Sequence, residues 1–207
     1  MHVRGQLNMS LRTRVIAALA GATVLGGAIT EVVQHNEGLS LTAYKDSAGI
    51  PTICYGETKG VKMGQKATPS DCQKQLIESA GAHAKALDGL SMQLSDVALI
   101  GSVDFIYNVG VSGFNNSAVK RHLKSLDYAA AGKAVLNWRY ISRYQQKSPG
   151  PGWVHKGGNR WTFDCSQYIN GQRNKVCWGL WERRQWQSKA ISNQFNSVQT
   201  AVTELKR

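Results

Sequence analysis

The sequence predicts an α+β fold in which a short antiparallel sheet precedes a larger set of helices. Apolar and polar residues alternate over 39–43, turn residues follow over 45–49, and the run 50–55 is rich in β-formers. Together these features indicate a β-hairpin. After residue 68 the pattern changes to helix caps and helical spacing of apolar residues. A chain of 207 residues is long enough to give such a domain a buried core.

The segment before the hairpin is predicted to be a helix. Residues 31–36 continue this helix, and Gly38 ends it because glycine closes helices at little conformational cost. Glu37 is therefore expected at a helix end. Asp46 is expected at the hairpin turn, where it faces Glu37.

Two longer helices are predicted after the hairpin. Thr68 is the expected N-cap of the first, with Pro69 at its first helical position. This helix runs to about residue 87. The second helix begins at residues 95–96 and stops at Gly110. It is apolar on nearly all faces, which predicts the buried central helix of a helical lobe.

The last third of the chain is predicted to contain further helices and one long loop. One helix starts at residue 116 or 117, and another starts at residue 127 and runs to about residue 141. Residues 145–176 are rich in glycine and proline, which predicts a loop. A helix over 180–193 and a polar tail, helical to residue 205, complete the chain.

Three side chains around the hairpin have the chemistry of a carbohydrate-cleaving site. Glu37 is followed nine residues later by Asp46 and six residues after that by Thr52. A carboxyl group at a helix end supplies a proton, a carboxylate in a polar turn orients water, and a hydroxyl holds that water. These residue types recur by chance in any chain of this length. On the offsets alone, a structural role for all three is favoured.

The surrounding residues are much more specific. The segment EGLSLTAYKDSAGIPTICYGET closely resembles the active-site segment of phage-type lysozymes, the endolysins of glycoside hydrolase family 24. That family's pattern of Glu, eight residues, Asp, five residues and Thr is met by Glu37, Asp46 and Thr52. One departure is CYGET at 54–58, where the family commonly has GYGHT. The resemblance covers most of 31–190 and continues as FIYNVG at 105–110, GF at 113–114 and GLWERR at 179–184.

This resemblance implies a lysozyme-like α+β fold, with the active-site cleft between a small antiparallel β lobe and a larger helical lobe. It implies hydrolysis of the β-1,4 bond between N-acetylmuramic acid and N-acetylglucosamine in peptidoglycan. In that reaction Glu37 protonates the leaving oxygen, while Asp46 and Thr52 hold the attacking water. Tyr107 and Asn108 are expected to face the sugar cleft. No metal and no cofactor are implied.

Two other functions stay open at this stage. One is a membrane-tethered wall-binding protein that keeps the fold without hydrolysis, and the intact Glu37, Asp46 and Thr52 set argues against it. The other is a lytic transglycosylase, which would leave anhydro-muramyl ends instead of reducing ends.

Four cysteines form an even set that lacks the spacing of a metal site: Cys54, Cys72, Cys165 and Cys177. They indicate disulfides in an oxidising compartment, although four buried free thiols in a cytosolic protein are the alternative. Three pairings are possible. We predict the local one, Cys54 with Cys72 and Cys165 with Cys177, because it closes the shortest loops.

The insertion at 145–177 is also rich in aromatic residues, including Trp153 and Trp161. One interpretation is a flap that stacks on sugars or binds the cell wall. The other, slightly favoured, is a small hydrophobic cluster held by Cys165 and Cys177. Long loops without secondary structure are uncommon in compact domains and are often functional.

The N-terminus has the layout of an export or anchoring segment. Three arginines and no acidic residue precede 15–30, a run of sixteen uncharged residues. As a helix this run reaches about 24 Å, against a hydrocarbon core of about 30 Å, so it is a short and weakly apolar span. A cleaved signal peptide, a permanent anchor and a signal anchor that later leaves the bilayer are the three interpretations. Cleavage is disfavoured, because a cut at the small residues 26–28 would leave only a short segment before Glu37. Residues 1–8 are expected to be unstructured.

The run 15–30 resembles the signal-anchor-release segments of certain phage endolysins. This resemblance implies that residues 1–33 hold an inactive precursor at the periplasmic face of the host inner membrane, and that the protein later enters the periplasm. Residues 34–207 would then form the catalytic domain, with 145–177 as its insertion.

The net charge of +12 is concentrated in the last third of the chain. Residues 120–207 contain 16 basic and 4 acidic residues, whereas 1–119 contain 9 of each. Such a surface attracts polyanions. The sequence has no helix-turn-helix, zinc-finger or RNP-type motif near these charges, so nucleic acid is not an expected partner. The expected partners are peptidoglycan and, before release, the inner membrane, with the protein itself a monomer.

Overall fold

The computed structural model describes residues 10–21, 23–46 and 49–206. Within them the helices are α1 (Leu11–Ala20), α2 (Val24–Glu37), α3 (Pro69–His83), α4 (Asp96–Asn115), α5 (Ala118–Lys124), α6 (Tyr128–Val135), α7 (Trp178–Ile191) and α8 (Val198–Leu205). The strands are β1 (Ser40–Lys45), β2 (Pro51–Cys54), β3 (Tyr140–Tyr144), β4 (Trp153–His155), β5 (Arg160–Asp164), β6 (Tyr168–Ile169) and β7 (Gln172–Arg173). The prediction for residues 1–8 and part of the predicted turn, residues 47–48, lie outside the described residues.

Helices α1 and α2 pack into the main hydrophobic core, to which all eight helices contribute. Val15 of α1 and Ile29 of α2 are at most 1% exposed. Ser10 and Thr23 cap the two helices through their side chains. A Cβ atom on Gly26 would lie 1.9 Å from the carbonyl oxygen of Ala18, so the contact between these helices requires glycine. The run 15–30 is therefore a structural part of the folded protein.

Helix α4 is the buried central helix that the sequence predicts. Every residue from Val97 to Ile106 is buried. Gly110, at φ 76° and ψ 162°, interrupts the helical geometry, and a further turn follows to Asn115. By length and composition alone, α4 is the one helix among the described residues that passes as a membrane span. Helices α1 and α2 pass the same test only as a pair bent by 86°.

The predicted hairpin is confirmed. Strands β1 and β2 are antiparallel, with Tyr44 opposite Thr52 and Lys45 opposite Pro51. The hairpin packs on α2 and α3 through a second hydrophobic cluster that includes Val33, Ala43, Ile53, Cys72 and Leu76. The small β lobe is thus fixed directly to the helix that ends at Glu37.

The predictions of helix starts at Thr68 and Ser95 are confirmed, and both side chains cap their helices. At Thr68 a complete capping box forms with Asp71. Helix α3 ends earlier than predicted, at His83, but a 3-10 turn over Ala84–Leu87 continues to the predicted residue. Both predicted disulfides are present, Cys54–Cys72 and Cys165–Cys177.

The prediction of a helix to residue 141 followed by a loop over 145–176 is wrong. Helix α6 ends at Val135, and after a 3-10 turn the chain enters β3. Strands β3, β5 and β4 form an antiparallel sheet in that order, and β6 and β7 form a small hairpin. The buried Trp153 and Phe163 rings pack against each other, with centroids 5.3 Å apart. The segment forms strands despite its glycine and proline content, because local apolar packing and the Cys165–Cys177 bridge stabilise them.

Candidate active site

Glu37 is the last residue of α2. Gly38 caps the helix at φ 71°, a conformation that glycine adopts without steric cost, and its N–H donates to the Gln34 carbonyl. The Glu37 side chain is 22% exposed. A carboxyl group in this position is held by the helix and still reaches solvent, as a proton donor to an external substrate requires.

Asp46 and Thr52 are brought together by Ile50. The Asp46 N–H and the Thr52 hydroxyl both donate to the Ile50 carbonyl oxygen, at 3.0 and 2.9 Å. In the other direction, Asp46 Oδ1 accepts the Ile50 N–H at 2.9 Å. Thr52 is 3% exposed. The turn therefore fixes a carboxylate and a hydroxyl around one residue of the hairpin.

The hairpin and the helix that carries Glu37 share one hydrophobic cluster. Val33, one helical turn before Glu37, packs in this cluster with Ala43 and Ile53. The Cys54–Cys72 bridge joins the end of β2 to the first turn of α3. The three predicted catalytic residues thus lie on two elements that are packed rigidly together.

A buried ion-pair network contacts Glu37 and was not predicted from the sequence. Arg183 Nη2 on α7 donates to Glu37 Oε1 at 2.8 Å and to Asp104 Oδ1 at 2.7 Å. The Arg183 and Asp104 side chains are 8% and 0% exposed. Asp104 also accepts from Gln187 at 2.6 Å and from Asn36 at 3.1 Å. A lone acidic residue inside the apolar run of α4 was the available signal.

The pKa values of two neighbouring arginines of α7, Arg183 and Arg184, are shifted in opposite directions. Burial lowers the pKa of Arg183, but Asp104 and Glu37 outweigh burial and leave that pKa above its usual value. Burial, together with the positive charge of Arg183, lowers the pKa of Arg184 to about 10, although Asp104 opposes the change. Arg183 therefore stays protonated and presents a fixed positive charge to Glu37.

Replacing Asp104 with alanine is expected to lower the free energy of unfolding by about 3 to 5 kcal/mol, because it removes the main partner of the buried Arg183 charge. Urea unfolding measures this loss. The matched control is Asp88→Ala, whose side chain is 56% exposed and lies 3.9 Å from Arg12. It is expected to cost less than about 1 kcal/mol. Equal losses in the two variants would contradict a structural role for Asp104.

Tyr107 and Asn108, which are predicted to contact the substrate, both form hydrogen bonds to other residues of the protein. The Tyr107 hydroxyl donates to the Tyr55 carbonyl at 3.4 Å, and its ring centroid lies 4.9 Å from that of His83. Burial raises the pKa of Tyr107, a hydrogen bond with Ser79 opposes the rise, and the Glu37 charge adds to it. Asn108 Oδ1 accepts from Arg184. Their role toward substrate stays a prediction.

A groove of about 770 Å³ is lined mainly by α7, with residues of α2 and α8 at its sides. It includes Asn36 and Arg183, but none of Glu37, Asp46 and Thr52. The candidate site is therefore identified from the chemistry of its side chains and not from this groove. Within the described ranges, no group of three or more His, Cys, Asp or Glu residues is placed to hold a metal ion.

The sequence is similar to those of known phage proteins. The phage lysozyme family matches residues 34–156. The chain is 35% identical over 153 residues to the SAR-endolysin of Pseudomonas phage phiKMV, covering 72% of this chain and 88% of that protein. It is 30% identical over 190 residues to the SAR-endolysin of Escherichia phage N15, covering 87% of this chain and 95% of that protein.

The fold is also shared with solved structures. An endolysin of the Escherichia coli phage FAHEc1 superimposes with a TM-score of 0.61 at 21% identity, covering 86% of this chain and 98% of that chain. The predicted lysozyme-like α+β fold is thereby confirmed. The family match covers more than half of the chain and includes the Glu37, Asp46 and Thr52 segment. The chain belongs to the phage lysozyme family.

Proposed function

We propose that this protein is an endolysin that hydrolyses the β-1,4 bond between N-acetylmuramic acid and N-acetylglucosamine in peptidoglycan and thereby lyses the host cell. One observation carries the proposal. The Asp46 and Thr52 groups share Ile50 in a hairpin that packs on the helix ending at Glu37. The membership of the chain in the phage lysozyme family supports the same function.

Each catalytic residue has a distinct role in this mechanism. Glu37 donates a proton to the leaving glycosidic oxygen, and Arg183 holds Glu37 Oε1, which leaves Oε2 to carry that proton. Asp46 accepts a proton from the attacking water. The Thr52 hydroxyl donates a hydrogen bond to the Ile50 carbonyl oxygen, so its lone pairs are left to accept a hydrogen bond from that water.

Replacing Asp46 with asparagine is expected to lower the hydrolysis rate by about 10²- to 10⁴-fold, because the water loses its base. Thr52→Ala is expected to lose less, since it only misplaces the water. The measurement is the turbidity loss of outer-membrane-permeabilised bacteria. Thr42→Ala, on the exposed surface of the paired strand, is the matched control. If Thr52→Ala and Thr42→Ala are equally active, the role of Thr52 is structural.

Mass spectrometry of the products tests the reaction itself. Hydrolysis leaves reducing N-acetylmuramic acid ends, whereas a lytic transglycosylase leaves anhydro-muramyl ends. A wall-binding protein without catalytic activity leaves the strands intact. Reducing ends from the purified protein, and their absence with Glu37→Gln, are the expected results, and anhydro ends would overturn the proposed hydrolysis.

We also propose that residues 15–30 first hold an inactive precursor at the periplasmic face of the host inner membrane. The protein then enters the periplasm when the membrane potential collapses. The SAR-endolysin names of the relatives support this order of events. So does the ability of the run to pack in a protein core, where it contributes Val15 and Ile29.

The same proposal assigns roles to other parts of the chain. Before release, residues 1–33 serve as the basic N-terminus and anchor of a catalytic domain formed by 34–207; in the folded protein, buried residues within 15–33 pack against that domain. Tyr107 and Asn108 contact the sugar. The enzyme acts as a monomer without cofactor and without a nucleic-acid partner.

A further inference from the structure

The three-stranded sheet that follows α6 presents one face to solvent. Antiparallel register places Tyr140 opposite Asp164, Ser142 opposite Thr162 and Tyr144 opposite Arg160, while Val154 of β4 lies opposite Thr162. Because side chains alternate along a strand, these residues share one side of the sheet. We call this side the outer sheet face. Its exposed members are Tyr140, Ser142, Tyr144, Val154 and Arg160, whereas Asp164 is half-buried and Thr162, on the central strand, is buried.

The outer sheet face combines two exposed aromatic rings with one basic residue, Arg160, and one acidic residue, Asp164. Tyr140 and Tyr144 are 51% and 67% exposed, and Val154 is 54% exposed. The two rings lie four residues apart on β3, which corresponds to about 13 Å. Residues 139–178 contain one acidic residue, Asp164, which pairs with Arg139. The same stretch contains seven basic residues. The strand register places Arg160 on the outer sheet face and Arg143 on the opposite side, where its guanidinium lies 5.2 Å from the centre of the Trp153 ring.

We call residues 139–178 the C-terminal module. Its buried side chains lie on the side of the sheet opposite the outer sheet face. Phe163 is fully buried and packs against Trp153. Gly152 is in such close contact with Ile169 and Phe163 that a Cβ atom there would lie within 3 Å of both side chains. The Cys165–Cys177 bridge closes the module at its end. The tyrosines are therefore exposed on a packed scaffold, which lowers the entropy that binding must overcome.

Both ends of the module are fixed to the helix that contacts the catalytic residue. At its start, the Trp138 carbonyl accepts from Arg184 at 3.0 Å. At its end, Arg173 pairs with Glu182 at 3.0 Å, and Trp178 opens α7. Trp178 precedes Arg183 by five residues, or about 7.5 Å along the helix. The module is thus joined to the helix that carries Arg183.

We infer that the outer sheet face binds the glycan strand of peptidoglycan. Apolar faces of sugar rings pack on exposed tyrosines, and the guanidinium of Arg160 complements the carboxylates of the wall peptides. Two exposed tyrosines beside a single basic residue favour this polymer over nucleic acid and over anionic membranes, because polyanions are bound through several basic residues. This inference rests on the proposed function, because it assigns a second contact surface to the same substrate.

Binding to purified sacculi tests the inference independently of hydrolysis, since every protein in the assay carries Glu37→Gln. The test variant is Tyr144→Ser/Arg160→Glu, a cross-strand pair on the outer sheet face. The matched control, Lys175→Glu/Val176→Ser, makes the same charge change and removes an exposed apolar side chain elsewhere in the module. Thermal unfolding checks that both variants remain folded. Sedimentation with sacculi gives the affinity.

The test variant is expected to bind sacculi at least about tenfold more weakly than the control, a difference of about 1.4 kcal/mol. Equal affinity of both would overturn the inference. It would also be overturned if the test variant lost affinity only for single-stranded DNA or for vesicles containing anionic lipid. The proposed function is judged separately by the reducing ends that the unmodified enzyme releases, so each can fail without the other.

Discussion

Replacing Glu37 with glutamine is expected to lower peptidoglycan hydrolysis by about 10²- to 10⁴-fold while leaving the fold intact. Glutamine is nearly isosteric, and its carbonyl oxygen can still accept from Arg183, which now bonds Glu37 Oε1 at 2.8 Å. Only the proton that the leaving oxygen requires is lost. Turbidity loss and released reducing ends both measure the effect.

The matched control for this experiment is Glu31→Gln. Glu31 lies on the same helix, is solvent-exposed at 44% and pairs with Lys206 on the surface. The substitution removes the same charge without touching the hairpin, so activity close to that of the unmodified enzyme is expected. A fully active Glu37→Gln enzyme would show that another group donates the proton, and the proposed mechanism would then be wrong.

The elements that position Glu37, Asp46 and Thr52 were predictable because local residues determine them. Gly38 takes positive φ at the end of α2, and alternation sets the hairpin strands. Thr68 forms its capping box within four consecutive residues. Each signal acts over a few positions, so the sequence alone contains it.

The ion pairs of Arg183 with Glu37 and Asp104 were not predictable from local sequence. Arg183 meets Asp104 across 79 residues of sequence and Glu37 across 146. Nothing local to either acid specifies the partner, because the meeting depends on how α2, α4 and α7 pack. The resemblance did include GLWERR, but it assigned no role to the arginines within that motif.

The strands of the C-terminal module were missed for a different reason. Glycine and proline around 148–158 predict a loop, and each strand has at most five residues. The module is stabilised by contacts between its own strands, by Trp153 and Phe163 and by a disulfide. These contacts outweigh the local preference of the chain, as packing commonly does in short strands.

Residues 15–30 pose a choice between two environments that the sequence cannot resolve alone. Six Val, Leu and Ile residues give a membrane span only about −2 to −4 kcal/mol of insertion free energy. The same run buries Val15, Leu19 and Ile29 in the folded protein. The small residues that weaken the span also allow the folded packing, most clearly at Gly26, whose Cα lies against the Ala18 carbonyl.

Making this run more apolar at exposed positions is expected to keep the enzyme in the membrane and prevent lysis. Ala17, Ala20 and Gly27 are exposed in the folded protein, and a Cβ atom on Gly27 would meet nothing within 4 Å. Changing all three to leucine adds about −1 to −2 kcal/mol to insertion without a clash in the released fold. After an uncoupler is added, the variant should remain in the membrane fraction while the unmodified enzyme is released.

A second variant separates insertion from folding. Gly26→Ala changes the apolarity of the span little, but its Cβ atom would overlap the backbone of Ala18. It is expected to leave the membrane as the unmodified enzyme does, yet to lose about 1 to 3 kcal/mol of folding stability. Fractionation follows release, and urea unfolding of the released protein follows stability. If the triple leucine variant leaves the membrane and lyses cells as fast as the unmodified enzyme, the run 15–30 is not the anchor. If Gly26→Ala is as stable as the unmodified enzyme, the close contact between α1 and α2 is not required for the released state.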